Sequence, residues 1–475
     1  MEEPSRAVQT FSAKNPDLAE SSVLQSEGEV NFSPRRQAWA AERFDEKSRT
    51  LLDEDSRLFL HQSLSTPCLS VIEKAEGIWI QDSMGRRYMD FHGNSVHHIG
   101  YGHPRLRAAI KTQIDELSFA PRRFTCAPAV ELAAKLAAIS PGDLGKVLFA
   151  TGGSDAIEIA LKVARAATGR YKTLSFWDSF HGAGFGASSV GGEQLFRGAK
   201  IGPLLAGAEH LPPFGCYRSL FGHQHNSLEP HSANCGHGLV ELIRYVLERE
   251  GDVAALVAEP NRAVPMIPPP GFWAAVRQAC DDAGTLLIFD EIPTGLGKTG
   301  RFFACDHDGV VPDILVMGKA LGGGMLPIAA TLCKPELDGA GDYALGHYTH
   351  EKNPVTAKAA LTTIQIIEDE DLVERAATLG AKAMERLQDM MQRHRLIGDV
   401  RGRGLLMGVE LVEDRESKTP ARDAAEAVFY RALDQGLSFK ISMGNVLTLS
   451  PPLVIEEKDL MQSLQIIDDS IAGLS

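Results

Sequence analysis

The sequence has 475 residues, of which 44% are hydrophobic and 23% are charged, as in ordinary globular proteins. This length exceeds the roughly 150 residues typical of one domain, so it excludes a single small binding module and predicts two or three packed units. The formal charge of -14 argues against nucleic acid and anionic membranes as main partners, because it repels phosphate groups at long range. A local basic pocket for a small anion remains compatible with this charge.

The cysteines and the N-terminus indicate a reducing compartment. The seven cysteines are scattered, odd in number and without a C-x-x-C pair, so they do not imply a disulfide scaffold. The first residues are acidic and lack the apolar run of a secretory signal. No segment approaches the roughly 18 apolar residues of a membrane span. We therefore expect a cytoplasmic protein.

The first 72 residues are predicted to form an N-terminal arm. Residues 1 to about 50 are rich in Ser, Glu, Ala and Arg and have weak periodicity, which predicts an extended or loosely helical segment. Such an arm is long enough to wrap a partner subunit. Short strands are predicted over 71–75, 77–82 and 87–91, where Gly77 and Gly85 mark turns.

Residues 73–347 are predicted to form a large α/β domain. Short apolar runs alternate with helical patterns, which is typical of a mostly parallel sheet covered by helices on both faces. The predicted strands are 147–150, 173–176, 254–258, 286–289, 314–317 and 328–331. The predicted helices are 105–118, 128–139, 155–168, 239–250, 272–283 and 355–367, the last of which opens the next unit.

Residues 348–475 are predicted to form a smaller α+β domain. Helical patterns lie near 354–393, 420–434 and 456–472, and apolar strands lie at 405–411 and 445–449. No repeat of 20 to 50 residues is visible, which argues against solenoids and propellers.

Two local patterns resemble binding motifs but lack the required context. Residues 295–300 read GLGKTG, yet the following residues have no helical period, so a dinucleotide site is not predicted. Ile292 stands where a phosphate-binding P-loop requires a glycine.

A segment rich in histidine and cysteine also resembles a binding motif, in this case a metal site. Its members are His210, Cys216, His223, His225, His231, Cys235 and His237. Their spacings match no common zinc pattern, so we expect solvated or structural loop residues and no metal site.

The strongest chemical signal is an acid followed by a lysine. Asp290 ends the apolar run 286–289, and Lys319 follows the next predicted strand. Open α/β sheets bind their ligands at the edge formed by the carboxyl ends of the strands, which is where both residues are predicted to lie. One crevice can therefore hold both residues. A lysine there can form a Schiff base with an aldehyde cofactor, and a carboxylate can keep a pyridinium nitrogen protonated. The pair predicts a pyridoxal phosphate site, although either residue alone would more readily be read as a turn cap or a surface lysine.

A phosphate-binding turn supports this prediction. Gly152-Gly153-Ser154 joins a predicted strand to a predicted helix, and small residues there let backbone N–H groups approach a phosphate at the positive end of the helix dipole. Phe180-His181-Gly182 follows the next strand and offers an aromatic ring that can stack on the cofactor, although an isolated Phe is more often part of a core.

With these motifs the chain resembles the class III (ω-amino acid) aminotransferases, a family of fold-type I pyridoxal phosphate enzymes. The resemblance runs from about Gly77 to Leu460 and includes further motifs at Glu259-Pro260, Asn353-Pro354 and Pro451-Pro452-Leu453. The resemblance implies that Lys319 is the Schiff-base lysine and proton shuttle and that Asp290 pairs with the ring nitrogen. It places Ile292 and Phe180 on the two faces of the cofactor ring. It also implies that the cofactor's phosphate is bound by Gly153, Ser154 and the partner subunit's Thr349. A homodimer with shared active sites is implied.

Several positions depart from the family pattern and bear on the substrate. Thr448 stands where members that use 2-oxoglutarate commonly carry an arginine that grips a carboxylate. The paired Arg122 and Arg123 suit a phosphonate or phosphate, although a solvated pair on a loop is equally compatible with the sequence. Arg262 offers a further cation, and His98 lies in an unusually polar segment that offers acid or base groups.

This combination resembles the ammonia-lyase branch of the family that acts on (R)-1-hydroxy-2-aminoethylphosphonate. The resemblance implies loss of a proton and then of the hydroxyl from neighbouring carbons, with phosphonoacetaldehyde and ammonia as products. An ω-aminotransferase that takes pyruvate or another oxo acid is the first alternative. A non-catalytic family member is the second, and the presence of Lys319, Asp290 and the phosphate turn argues against it.

Overall fold

The computed structural model describes residues 33–62, 68–202, 204–222, 224–229, 231–232 and 234–474. Its α-helices are α1 (Pro34–Arg43), α2 (Glu46–Leu58), α3 (Pro104–Glu116), α4 (Ala127–Ile139), α5 (Gly153–Thr168), α6 (Phe185–Val190), α7 (His237–Glu250), α8 (Phe272–Ala283), α9 (Pro354–Asp369), α10 (Leu372–Arg393), α11 (Arg422–Asp434) and α12 (Glu457–Ala472). In this part of the chain no helix combines the length and the apolar character that crossing a membrane requires.

The strands form three sheets. They are β1 (Ile72–Glu76), β2 (Trp79–Asp82), β3 (Arg87–Asp90), β4 (Lys146–Ala150), β5 (Lys172–Phe176), β6 (Ala208–Leu211), β7 (Val253–Ala258), β8 (Leu286–Asp290), β9 (Ile314–Met317), β10 (Ala329–Cys333), β11 (Ile397–Arg403), β12 (Leu406–Leu411), β13 (Leu437–Ser438), β14 (Lys440–Ser442) and β15 (Val446–Leu449).

The largest sheet confirms the predicted α/β class. Its order is β4-β10-β9-β8-β7-β5-β6, in which β6, β5, β7, β8 and β9 pair in parallel and β10 runs antiparallel to both of its neighbours. Successive residues of β8 enter different cores: Leu287 and Phe289 join one apolar cluster and Ile288 joins the other. Both faces are therefore covered, which explains why the central strands are continuous apolar runs.

The parallel strands also fix where a site can form. Since β5, β7, β8 and β9 run in one direction, their carboxyl ends open at one edge of the sheet. The amino end of α5, directly after β4, contacts the loop that follows β5. The segments that follow strands of this sheet carry part of the predicted site residues, namely Gly153, Ser154, Phe180, Arg262, Ile292 and Lys319, and Asp290 ends β8.

Two smaller sheets involve the C-terminal part of the chain. One has the order β11-β12-β15-β14, and the other has the order β1-β2-β3-β13. In the second, β13 pairs in parallel with β3, with Leu437 opposite Met89. A strand from the C-terminal part thus completes a sheet begun near the N-terminus. The division at residues 72 and 347 stays a prediction.

The predicted arm is helical where the structure describes it. Residues 1–32 lie outside the described residues, but α1 and α2 replace the loosely ordered segment predicted up to about residue 50. The Ser33 hydroxyl accepts a hydrogen bond from the Arg36 N–H at 3.0 Å, and the Asp45 carboxylate accepts one from the Ser48 N–H at 2.8 Å. These two N-caps are the sequence signals that the weak periodicity concealed.

Candidate active site

Asp290 ends β8 at the edge of the sheet, where it was predicted to lie. Its side chain is 2% exposed. Oδ1 accepts a hydrogen bond from the Ile292 N–H at 3.0 Å, and Oδ2 lies 2.8 Å from Nδ1 of His181. A buried carboxylate is stable only when it is paired and hydrogen-bonded, and both conditions are met here.

His181 contacts the Asp290 carboxylate, and the sequence did not predict this contact. Because a carboxylate oxygen accepts, Nδ1 of His181 donates to Asp290 and thereby orients the carboxylate. The other ring nitrogen, Nε2, is buried and has no hydrogen-bond partner among the described residues. The available sequence signal was the Phe180-His181-Gly182 motif, in which the imidazole stands next to the aromatic ring.

The turn at the start of α5 packs with almost no spare volume against Ile292, which lies two residues after Asp290. A Cβ atom added at Gly153 would lie 2.7 Å from Cδ1 of Ile292, and one added at Gly318 would lie 3.2 Å from Cγ2 of Ile292. Ile292 therefore lies between the start of α5 and the residue that precedes Lys319. The structure brings Gly153, Ile292 and Asp290 together, and their roles toward a cofactor stay predictions.

Ser154 joins the same turn to the loop that follows β5. Its hydroxyl accepts a hydrogen bond from the Ala183 N–H at 3.0 Å. Gly182 has a φ of +132°, and a Cβ atom there would lie 2.5 Å from Oγ and 2.8 Å from Cα of Ser154. Only glycine fits this contact. The resulting cradle exposes the positive end of the α5 dipole to a bound anion.

Lys319 follows β9 at the same edge and opens a short 3-10 turn, Lys319–Gly322. Its side chain is half-buried, and its φ of +44° is uncommon for a residue that has a Cβ atom. Residues held in such conformations concentrate at functional sites. Lys319 thus lies beside Gly318, which packs against Ile292, and its role as Schiff-base lysine stays a prediction.

Two histidines, the buried His98 and the half-buried His92, lie close enough to Lys319 to sense its charge. Burial, more than any neighbour, lowers the pKa of His92 to about 4 and lowers that of His98 well below its usual value; Lys319 contributes to both shifts. Nε2 of His98 donates to the Gly295 carbonyl at 3.2 Å, which leaves Nδ1 as a bare acceptor. In the neutral form of His98, Nδ1 can therefore act only as an acceptor. The predicted contact of His98 with substrate stays a prediction.

Phe180 and Thr349 are the remaining residues predicted to hold the cofactor. Phe180 is half-buried, and its ring centroid lies 4.4 Å from that of Phe196. Thr349 is exposed, while the hydroxyl of its neighbour Tyr348 lies 3.5 Å from the Asp155 carbonyl near the start of α5. The roles of Phe180 and Thr349 stay predictions.

The three arginines have different surroundings. Arg122 is half-buried, and its Nη2 donates to Nε2 of His347 at 2.6 Å, two residues before Thr349. Arg123 is exposed. Arg262 is buried and donates to the carbonyl of Asp178 in the loop that carries Phe180. The pair predicted to act together is therefore split into one sheltered and one solvated guanidinium.

The residues present fit pyridoxal phosphate. The cradle of Gly153, Ser154 and Gly182 suits a phosphate, and Asp290 supplies the buried carboxylate that a pyridinium nitrogen needs. The orphaned Nε2 of His181 marks an unsatisfied polar position beside this carboxylate.

Comparison with known proteins decides the family. Residues 61–471 match the family described as Aminotransferase class-III. The chain belongs to this family. It is therefore a pyridoxal phosphate enzyme of fold type I, as the residue pattern predicts.

Characterised relatives within the class III aminotransferases differ in activity. The chain is 45% identical to the (R)-1-hydroxy-2-aminoethylphosphonate ammonia-lyase of Vibrio splendidus, over 94% of this chain and 95% of that protein. It is 40% identical to the leucine/methionine racemase of Thermococcus litoralis, over 90% and 96%. Among solved structures, an amine transaminase from an uncultivated Pseudomonas species, in its pyridoxal phosphate-bound form, has a TM-score of 0.81 at 30% identity and covers 88% of this chain and 99% of its own.

The hydrogen bond between His181 and Asp290 predicts graded losses of activity. Asp290→Asn removes the negative charge and is expected to lower kcat/KM by at least about 100-fold. His181→Gln is expected to lower it by about 10-fold and to alter the pH dependence of the cofactor's visible absorbance, because Asp290 loses its orienting donor. His210→Gln is the control, since His210 bonds the Gly191 carbonyl instead. An unchanged absorbance profile in His181→Gln would contradict the positioning role.

The close contact at Gly182 predicts a loss of cofactor affinity. Gly182→Ala forces a Cβ atom against Ser154 and is expected to cost roughly 1–3 kcal/mol of stability and to raise the dissociation constant for pyridoxal phosphate. Gly339→Ala is the matched control, because a Cβ atom there meets nothing within 4 Å. Fluorescence titration of the apoenzyme and thermal melts measure the two effects. Equal behaviour of the two variants would refute the steric argument.

Proposed function

We propose that this enzyme is an ammonia-lyase that converts (R)-1-hydroxy-2-aminoethylphosphonate into phosphonoacetaldehyde and ammonia. The observation that carries the proposal is the 45% identity to a lyase of that name, which extends over nearly the full length of both chains. The departures from the family pattern at Thr448 and Arg122 support it.

Bound pyridoxal phosphate supplies an electron sink for the carbon that bears the substrate amine. The Nζ atom of Lys319 takes the proton from that carbon, while Asp290 holds the negative charge that the ring nitrogen requires. The hydroxyl leaves the neighbouring carbon and departs with a proton as water. The released enamine tautomerises to an imine, and hydrolysis gives the aldehyde and ammonia. The water lost is regained, so no oxidant, reductant or second oxo acid is consumed.

The surroundings of Thr448 agree with a reaction that needs no oxo-acid partner. Thr448 is buried in β15, and its hydroxyl lies 2.8 Å from that of Ser442. The two hydroxyls satisfy each other where the family resemblance expects a carboxylate-gripping guanidinium. This position is therefore ill suited to a second carboxylate such as that of 2-oxoglutarate.

Arg122 is the preferred candidate for the phosphonate. Its Nη1 is buried and has no hydrogen-bond partner within the described residues, whereas Arg123 is exposed. Arg122 also contacts the loop that carries Thr349, the residue proposed to serve the partner subunit. We therefore propose a homodimer in which Arg122 lies near a shared active site.

The absence of disulfides among the seven cysteines accords with the proposed cytoplasmic location.

A second candidate function is an ω-aminotransferase. The structural likeness to an amine transaminase, at a TM-score of 0.81, favours it. That reaction would require an oxo acid as a second substrate to accept the amino group, whereas the lyase reaction requires none.

Ammonia release in the absence of any oxo acid distinguishes the two functions. Purified holoenzyme given 1-hydroxy-2-aminoethylphosphonate is expected to release ammonia over many turnovers, because elimination leaves the cofactor as an aldehyde. Lys319→Ala is the control and is expected to abolish release. A single stoichiometric conversion that resumes only after pyruvate or 2-oxoglutarate is added would establish the aminotransferase.

Substitution of the two neighbouring arginines tests the phosphonate contact. Arg122→Met is expected to raise KM for the aminophosphonate by about 10–100-fold, since charge-assisted hydrogen bonds contribute roughly 1.5–3 kcal/mol each. Arg123→Met, at an exposed position, is expected to change KM by less than about threefold. Steady-state kinetics with the aminophosphonate and with 1-amino-2-propanol measure this selectivity. Equal losses with both substrates would remove Arg122 from the anion site.

A further inference from the structure

The loop between β6 and α7 brings four metal-ligating side chains together. The ligand atoms of Cys216, His225, His231 and Cys235 all lie within 4.8 Å of one another. The spacing of these residues along the chain matches no common zinc pattern, so the sequence did not predict a metal site here. Folding of the loop nevertheless assembles two thiols and two imidazoles in one place.

Individual contacts show that the cluster is compact. The Sγ atom of Cys216 lies 3.7 Å from Nδ1 of His231, and the rings of His225 and His231 are 4.4 Å apart and nearly perpendicular. In a tetrahedral zinc site, Zn–S and Zn–N bonds of about 2.3 and 2.0 Å place ligand atoms about 3.3–3.8 Å apart. Small side-chain movements would reach that spacing.

His225 supplies an independent observation that points to a ligand. Its Nδ1 donates to the Asn226 carbonyl at 3.1 Å, which fixes the tautomer with a lone pair on Nε2. That Nε2 atom is buried and has no hydrogen-bond partner in the described part of the chain. Metal-bound histidines typically donate their second ring nitrogen to a carbonyl in this manner.

We propose that Cys216, His225, His231 and Cys235 bind a structural zinc ion. Two cysteines and two histidines form a closed four-ligand set that is typical of structural zinc, with no position left for a substrate. Binding releases the two thiol protons, and the resulting thiolates balance the 2+ charge of the ion. The site is therefore electrically neutral, which suits its half-buried position.

The ion would hold a long loop against the C-terminal part of the protein. Two hydrogen bonds join the same loop to the C-terminal sheet. Nε of Arg218 donates to the Glu410 carboxylate of β12 at 2.6 Å, and the Ser227 N–H donates to the Asp399 carboxylate of β11 at 2.8 Å. Cys216 lies near the start of the loop and Cys235 lies just before α7. Long loops without regular structure need such a constraint to hold one conformation.

Metal analysis of the full-length holoenzyme tests the proposal. We expect about one zinc ion per chain by mass spectrometry of the purified protein, and loss of most of it in Cys216→Ser and Cys235→Ser. The melting temperature of these variants is expected to fall by at least about 5 °C, while their cofactor absorbance persists. Cys68→Ser and His237→Gln are matched controls outside the cluster and are expected to retain zinc.

Three results would overturn the proposal. They are a wild-type chain that takes up no zinc on reconstitution, a bound metal other than zinc, and a Cys216–Cys235 disulfide detected by intact mass. Where the serine variants fail to fold, cobalt-reconstituted wild-type protein replaces them. It is expected to show the thiolate-to-cobalt absorption of a tetrahedral site, and absence of this band would refute the site.

Discussion

Burying the carboxylate of Asp290 at the end of β8 costs free energy that only specific hydrogen bonds can recover. His181 and the Ile292 N–H provide these bonds, and each donor fixes a loop. The Ile292 contact sets the residue that packs against Gly153, and the His181 contact sets the loop whose Gly182 touches Ser154. One buried carboxylate thereby positions both parts of the candidate site, the glycine turn proposed to hold the phosphate and the group proposed to face the ring nitrogen, so a shift of this carboxylate would disturb both.

The sequence predicted the elements that are buried on two faces, because their patterns are continuous. Every residue of Val253–Ala258 is buried, and the predicted strand differs from it by one residue. The helix Phe272–Ala283 was predicted at its exact limits, since Gly271 and Gly284 flank it with positive φ. In contrast, β6 contains Glu209 and His210 at the edge of the sheet, and β13 has only two residues, so neither carries an apolar run. Strand β11 was missed because its buried charges are neutralised by tertiary contacts: Arg401 pairs with Asp399 and with Glu410 of β12, which no local pattern reveals.

The candidate site likewise contains residues that the sequence predicts and residues that it does not. Asp290, Lys319 and the glycine turn were predictable because each is tied to the end of a strand or the start of a helix. His181 was not singled out, because its role depends on a residue more than 100 positions away. The cluster of Cys216, His225, His231 and Cys235 was not predictable either, since an irregular loop brings its members together. Pattern reasoning thus finds residues placed by regular backbone and misses those placed by tertiary contact.

The pairing of β3 with β13 has a consequence for how the protein is made. The partners Met89 and Leu437 are separated by most of the chain. At the roughly 5–20 residues per second of translation, β3 emerges from the ribosome about 20–70 s before the strand that completes its sheet. During this interval β3 has an unpaired edge of the kind that invites pairing with other chains. Packing of β1 and β2 on its other side, which needs only nearby residues, is therefore the part of this sheet that can form before the C-terminal strand arrives.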